Sequence, residues 1–148
     1  MPKVTIVRKG NAKAFLSRIE AALKGPMTVK VGFPVGKAEP DLVMRAIWNE
    51  FGTETIPERP FFRNAMADGR DGYRRLMKAD AKKMLRGEMK PRQTLDRLGL
   101  KAQGDIQRSI ASSTPPPNAP VTIARKGSST TLIDTGEMRQ RVTFIVEE

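Results

Sequence analysis

Residues Arg92–Ser112 read RQTLDRLGLKAQGDIQRSIAS, and the fold turns on this stretch. Leu95, Leu98, Ala102, Ile106 and Ile110 recur every three or four residues, which gathers them on one face of an α-helix and leaves the charged residues on the other. At 1.5 Å per residue the predicted helix is about 30 Å long. Gly99 and Gly104 would let a neighbour approach its backbone closely. An amphipathic helix of that length needs an apolar layer to cover its stripe, and the segments on either side supply candidates.

Upstream, Pro60 occupies a natural first-turn position, and Phe61, Phe62, Ala65 and Met66 begin a second apolar face. Helical character continues to about Arg86, with Gly69 and Gly72 weakening the middle enough to split it in two. Asp41–Phe51 (DLVMRAIWNEF) sets Leu42, Val43, Ala46, Ile47 and Phe51 on one face, with Gly52 just past the helix end. Trp48 borders that stripe as a packing residue. Ala12–Lys24 carries Phe15, Leu16, Ile19, Ala22 and Leu23 at helical spacing, capped by Asn11 and stopped by Gly25-Pro26. All of these stripes read as core.

Strands are predicted at Lys3–Arg8 (KVTIVR), at Met27–Phe33 (MTVKVGF) and at Gln140–Glu147 (QRVTFIVE), the last with Val142, Phe144 and Val146 on one face. Asp134 and Glu137 stand three apart, as N-cap and N3 of a capping-box variant that starts a short helix. The expectation is one α+β domain over residues 1–148. In it a small antiparallel or mixed sheet, built from the terminal and early strands, packs with three to four helices, one of them long. Residues 112–131 break the pattern. Ser112–Pro120 (SSTPPPNAP) is locked into extended, donor-poor backbone by its prolines, and Val121–Thr131 continues as a polar arm with one helical turn beginning at Pro120. A connection of that length in a compact domain points to function or disorder.

Composition narrows the chemistry. The 148 residues hold 27 Lys+Arg against 16 Asp+Glu, a formal charge of +11, with neither His nor Cys. That excludes imidazole and thiolate nucleophiles, Ser-His-Asp triads, zinc fingers and disulfide scaffolds. Glu50, Glu54 and Glu58 lie at or beyond a helix end, and Asp134 with Glu137 is explained by capping, so no carboxylate pair is set up for acid/base work. Gly32–Ala38 (GFPVGKA) lacks the glycine spacing and the hydroxyl of a phosphate loop. The expectation is a chain that is not an enzyme and takes neither cofactor nor metal. No apolar run approaches the length of a membrane span, and MPKVTIVRKG lacks the apolar core of a signal peptide.

The charge is concentrated. Between Arg70 and Lys101 eleven basic residues face four acidic ones, a net of +7. Arg70, Arg74, Lys78 and Lys82 fall every four residues, and Arg75, Lys82 and Arg86 lie close to the same side. A continuous helix would present them as a stripe to phosphate backbone, to an acidic partner subunit or to water. Tyr73 is the only aromatic in this stretch, so base-specific recognition is not indicated.

Several short motifs occur in a telling order: Asn49-Glu-Phe-Gly-Thr53, Ile56-Pro-Glu-Arg-Pro-Phe-Phe-Arg63, Pro117-Asn-Ala-Pro120, Thr122-Ile, Arg125-Lys-Gly-Ser-Ser129 and Leu132-Ile-Asp-Thr-Gly136. Together they resemble the virion morphogenesis proteins of tailed bacteriophages, the head-tail joining and tail completion proteins of the lambda-like minor tail protein Z class. Glu58 stands where a small residue is more usual, and Glu137-Met138 where a basic or small pair is. The resemblance implies a non-catalytic structural protein of the virion neck, assembled in the host cytoplasm as a homo-oligomeric ring. Six copies would match a tail, and twelve a portal. Neighbouring neck, tail terminator or tail tube proteins, and non-specifically the packaged DNA, would be its partners. Two segments are the candidate subunit contacts: Phe51, Ile56, Pro57, Arg59, Pro60 and Phe61 in the connection, and Pro115, Pro116, Pro117, Pro120 and Ile123 in the arm. The alternative for both is a surface loop folded on its own domain. The basic set Arg70, Arg74, Arg75, Lys78, Lys82, Lys83 and Arg86 is the candidate for DNA or acidic-partner contact.

Overall fold

The computed structural model of the chain describes residues 12–26, 28–112 and 115–147. In chain order it holds α1 (Ala12–Leu23), β1 (Thr28–Gly32), α2 (Pro40–Phe51), α3 (Phe61–Leu85), α4 (Pro91–Ala111), α5 (Pro120–Lys126), α6 (Glu137–Arg141) and β2 (Thr143–Glu147). The architecture is α+β. The strand expected at Lys3–Arg8 and the Asn11 cap lie outside the described residues.

β1 and β2 pair antiparallel, with Val31 opposite Phe144 and Gly32 opposite Thr143. The early and terminal strands therefore meet, as expected, and they pack on α4. Gly99 makes this contact possible, because a Cβ there would overlap the Phe144 ring. Gly104 has no such neighbour; only the Arg108 side chain approaches it.

α3 and α4 run antiparallel, joined by a short turn at Gly87. Three cross-links of falling and rising residue number mark the pairing. Ser109 donates to the Phe61 carbonyl at 2.7 Å, Tyr73 donates to Asp105 at 2.8 Å, and Arg97 pairs with the buried Asp80. Contrary to the expected split, α3 is one unbroken helix of 25 residues and is longer than α4. Its glycines are used for packing. The Tyr73 ring folds over Gly69, and the Lys101 stem passes 3.1 Å from the position of a Cβ at Gly72.

The core sits at one end of this hairpin. Leu42 and Ala46 of α2, Phe61 and Ala65 of α3, Ile106 and Ile110 of α4, and Leu132, Met138 and Val142 of the terminal segment form it. Predicted core positions Leu95 and Leu98 are only half-buried. Among the described residues six helices stand where three to four were expected, since α5 and α6 are short pieces of the terminal segment. α6 begins after Gly136, which takes the left-handed conformation, so Asp134 is not its N-cap. The helix runs on to Arg141, so the last strand starts at Thr143 instead of Gln140.

Candidate functional site

The connection between α2 and α3 is built by three polar devices. Gly52 ends α2 at φ 74°, ψ 170°, a conformation almost exclusive to glycine, and its N–H donates to the Trp48 carbonyl at 2.9 Å. Thr53 then closes a turn: its N–H donates to the Ile56 carbonyl at 2.8 Å and its hydroxyl accepts from Ile56 N–H at 2.9 Å. Glu50, buried at the end of α2, accepts from the N–H groups of Phe62 at 2.8 Å and Arg63 at 3.0 Å. It thereby caps α3 with a carboxylate from another helix, where the helix dipole favours negative charge. Arg63 folds back onto Glu50 at 2.9 Å and onto Glu58, and these two carboxylates hold its pKa above the ordinary arginine value.

Arg59 ties the connection to the arm. Its side chain is buried, Nε donates to the Pro116 carbonyl at 2.8 Å, and Nη2 donates to the Pro117 carbonyl at 3.3 Å. Asn49 and Asn118 accept from it at 3.4 Å. Burial draws its pKa below the ordinary value, yet a guanidinium remains charged throughout the neutral range. Asn118 and Lys126 continue the anchoring by donating to the Thr130 carbonyl at 3.3 and 3.0 Å. Burial likewise lowers the pKa of Lys126. Pro115–Asn118 is therefore strapped to its own domain. α5 spans two turns rather than one, with Pro120 first and Gly127 in the left-handed conformation closing it.

The expected contact residues divide accordingly. Arg59 and Phe61 are buried within the chain, the first under the arm and the second in the core, so neither is offered to a partner. Pro57, Pro115, Pro116, Pro117 and Pro120 are exposed, while Ile56, Pro60 and Ile123 are half-buried. Phe51 is 63% exposed and lies under the Arg63 guanidinium, 5.0 Å from the ring centroid.

Phe51 belongs to a larger feature. The predicted stripe of α2 separates into two. Leu42 and Ala46 enter the core, whereas Met44, Ile47, Trp48 and Phe51 are 43, 42, 41 and 63% exposed. These four stand at i, i+3, i+4 and i+7, a continuous apolar row on the outside of the helix. Trp48 is thus a surface residue of that row instead of packing filler. Beside it lies a 230 Å³ apolar hollow lined by Phe33, Val43, Ile47, Phe51, Phe61 and Phe62.

Charge frames the row. Residues 39–58 hold five acids (Glu39, Asp41, Glu50, Glu54, Glu58) against the single Arg45, a net of −4 in a chain of +11. Glu39, Asp41 and Glu54 are exposed and make no ion pair with the described residues. The spacing of the outer row and this acidic island were both present in the sequence; a second apolar stripe on one helix was the missed signal.

All seven residues of the basic set lie on α3 or at its C-cap, Arg86. Six are exposed, and Lys83 is half-buried. Residues four apart advance 40° around a helix, so the row from Arg70 to Arg86 winds around α3 instead of lying flat. Arg74 pairs loosely with Asp71 at 3.7 Å and Arg86 with Glu88 at 2.9 Å, while Arg70, Arg75, Lys78 and Lys82 make no ion pair with the described residues. A polar groove of 380 Å³ between α3 and α4 carries Arg75, Lys101 and Arg108 around Asp105. Asp105 is consumed by Tyr73, Lys101 and Arg108. Burial, then the bond to Asp105, raises the Tyr73 pKa.

Among the described residues no cluster of three or more metal-ligating side chains occurs, and no helix is long and apolar enough to cross a membrane. No family model, curated protein or solved structure matches the chain.

Proposed function

We propose that this chain is a non-catalytic structural subunit of a tailed phage or prophage, a tail completion or neck protein that joins tail to head as part of an oligomeric ring. The observation that carries it is the outer row of α2. A monomer gains nothing by exposing Met44, Ile47, Trp48 and Phe51 in one line, whereas an assembling subunit buries them. The ordered motifs of the connection and arm add to this, because they converge on the ties made by Glu50 and Arg59. Those ties hold the outer row and the exposed prolines in one rigid arrangement, which reduces the entropy lost on docking. The partners are further copies of the chain, most simply six to match a tail, and the neighbouring tail terminator or tail tube. Its place is the virion neck, reached from the host cytoplasm.

The test is mass photometry and negative-stain microscopy of the purified chain, alone and with tail tubes of the producing phage. Closed rings, free or seated on tube ends, are expected. A chain that stays monomeric in both settings and leaves the tubes unbound refutes the proposal.

The exposed basic winding of α3 favours a second role, non-specific contact with DNA. Duplex binding would then weaken steeply with salt, and Arg74→Glu with Lys78→Glu would flatten the slope by roughly two phosphate contacts. No measurable binding at about 50 mM salt excludes it.

A further inference from the structure

We propose that the outer face of α2 is the seat for helix α1 of a second copy, so that subunits join head to tail; this specifies the contact of the ring assembly proposed above and rests on it. α1, which packs on α3, leaves a second apolar patch uncovered by the described residues. Phe15 and Leu16 of α1 are 52 and 63% exposed, although their spacing reads as core. Two such faces on one chain that do not cover one another call for a partner.

Charge selects the pairing. The α2 row is edged by Asp41 and Glu54, exposed and without ion pairs to described residues, whereas its neighbouring cations Arg45 and Arg63 are paired with Glu137 and with Glu50 and Glu58. α1 carries Lys13 and Arg18, also exposed and also without such pairs. An acidic island on a chain of +11 finds its complement most readily on another copy of the same chain. Pairing α2 with α2 would set acid against acid, which disfavours a symmetric contact.

Position gives the consequence. α2 is fixed to the start of α3, where Glu50 caps Phe62 and Arg63. α1 packs on α3, and its Arg18 side chain reaches Gly87, just past the other end of α3, with Nε 3.8 Å from where a Cβ would stand. The two faces therefore lie toward opposite ends of α3, a helix of 25 residues and about 37 Å. Unlike surfaces at opposite ends of a subunit make a heterologous interface, which closes into a ring or runs on as a filament.

The experiment uses the full chain and mass photometry, with circular dichroism melts to show that the surface variants stay folded. Leu16→Glu spoils α1 and keeps α2; Ile47→Lys does the reverse. Each variant alone is expected as a 16.4 kDa monomer. An equimolar mixture is expected to give dimers and nothing larger, because only one good pair of faces remains. Asp41→Lys with Glu54→Lys should raise the dissociation constant about tenfold or more, and adding Lys13→Glu with Arg18→Glu in the same chain should restore it. Rings that persist in either single variant, or single variants that dimerise alone, overturn this contact while leaving the neck proposal standing. A wild-type chain that never self-associates but still binds tail tubes also overturns it alone. Failure of self-association and tube binding together removes both.

Discussion

Replacing Arg59 by Ala removes the side chain that, among the described residues, ties the carbonyls of the arm to the connection. Prolines offer no N–H, so Pro115–Pro117 can be held only through its carbonyls, and Arg59 takes two of them, at 2.8 Å and 3.3 Å. A hydrogen bond from a charged donor contributes about 1.5–3 kcal/mol net. The shorter bond is near the middle of that range; the longer one and the two 3.4 Å contacts to Asn49 and Asn118 are weak. The freed carbonyls belong to exposed prolines and rehydrate as the arm lifts, which offsets part of the loss. The expected cost is therefore about 2–3 kcal/mol, or a fall of about 5–10 °C in Tm for a chain of this size. Arg59→Lys keeps the charge but not the fork, and should recover less than half. Limited trypsinolysis reads the arm directly, since Arg125 and Lys126 sit in α5 just beyond the strap. Cleavage there should speed up in Arg59→Ala before the rest of the chain is cut. Unchanged protection at Arg125 and Lys126, with Tm within about 1 °C of wild type, would refute the strap.

Gly52→Ala forces φ 74°, ψ 170° on a residue with a Cβ, which would stand 3.0 Å from Glu58 N and 3.2 Å from the Ile56 carbonyl; a loss of about 3 kcal/mol in urea melts is expected, and a loss under about 0.5 kcal/mol would contradict it. Glu50→Ala leaves the Phe62 and Arg63 N–H groups without their acceptor and should cost about 2 kcal/mol, with Glu50→Gln intermediate, as measured by the same melts. Tyr73 has a folded pKa above its ordinary 10.0, through burial and the bond to Asp105. Its contribution to stability is intact below pH 10.0 and declines above it, because the unfolded chain ionises first. Tyr73→Phe should therefore lose less stability than wild type between about pH 9 and about pH 11, and equal losses would count against the assignment.

What the sequence disclosed was periodicity, and periodicity reports a face without saying what covers it. The C-terminal part of the α4 stripe, Ala102, Ile106 and Ile110, is buried, and Gly99 found its close neighbour in Phe144. The stripe of α2 could not be resolved the same way. Eight of its twelve residues are apolar or aromatic, so two faces merge into one broad band, and only the position of the hairpin decides that Leu42 goes in and Ile47 stays out. Gly69 and Gly72 misled for the opposite reason. Their helix cost is local, while the contacts that outweigh it come from Tyr73 and from Lys101 on another helix. Arg59 and Glu50 carried no local signature at all, because their partners stand 57 and 12 residues away. The motifs of the connection were legible as a resemblance before their physics was.

The same geometry supports the proposal that copies associate through the outer row of α2. The core fills only one end of the α3–α4 hairpin, so the other end is held by polar links such as Tyr73–Asp105 and Arg97–Asp80, and the basic residues spread along it. The net positive charge along that hairpin opposes stacking of copies side by side. The α2 face at the core end has the exposed acids Asp41 and Glu54 at its edges, has its backbone immobilised by Gly52, Glu50 and Arg59, and exposes the apolar row between them. Repulsion along one part and attraction at the other leave end-to-end contact as the arrangement that buries apolar surface without confronting like charges. On that account raising salt should have opposite effects at the two parts: it screens the repulsion between hairpins and weakens the acidic rim's hold on α1.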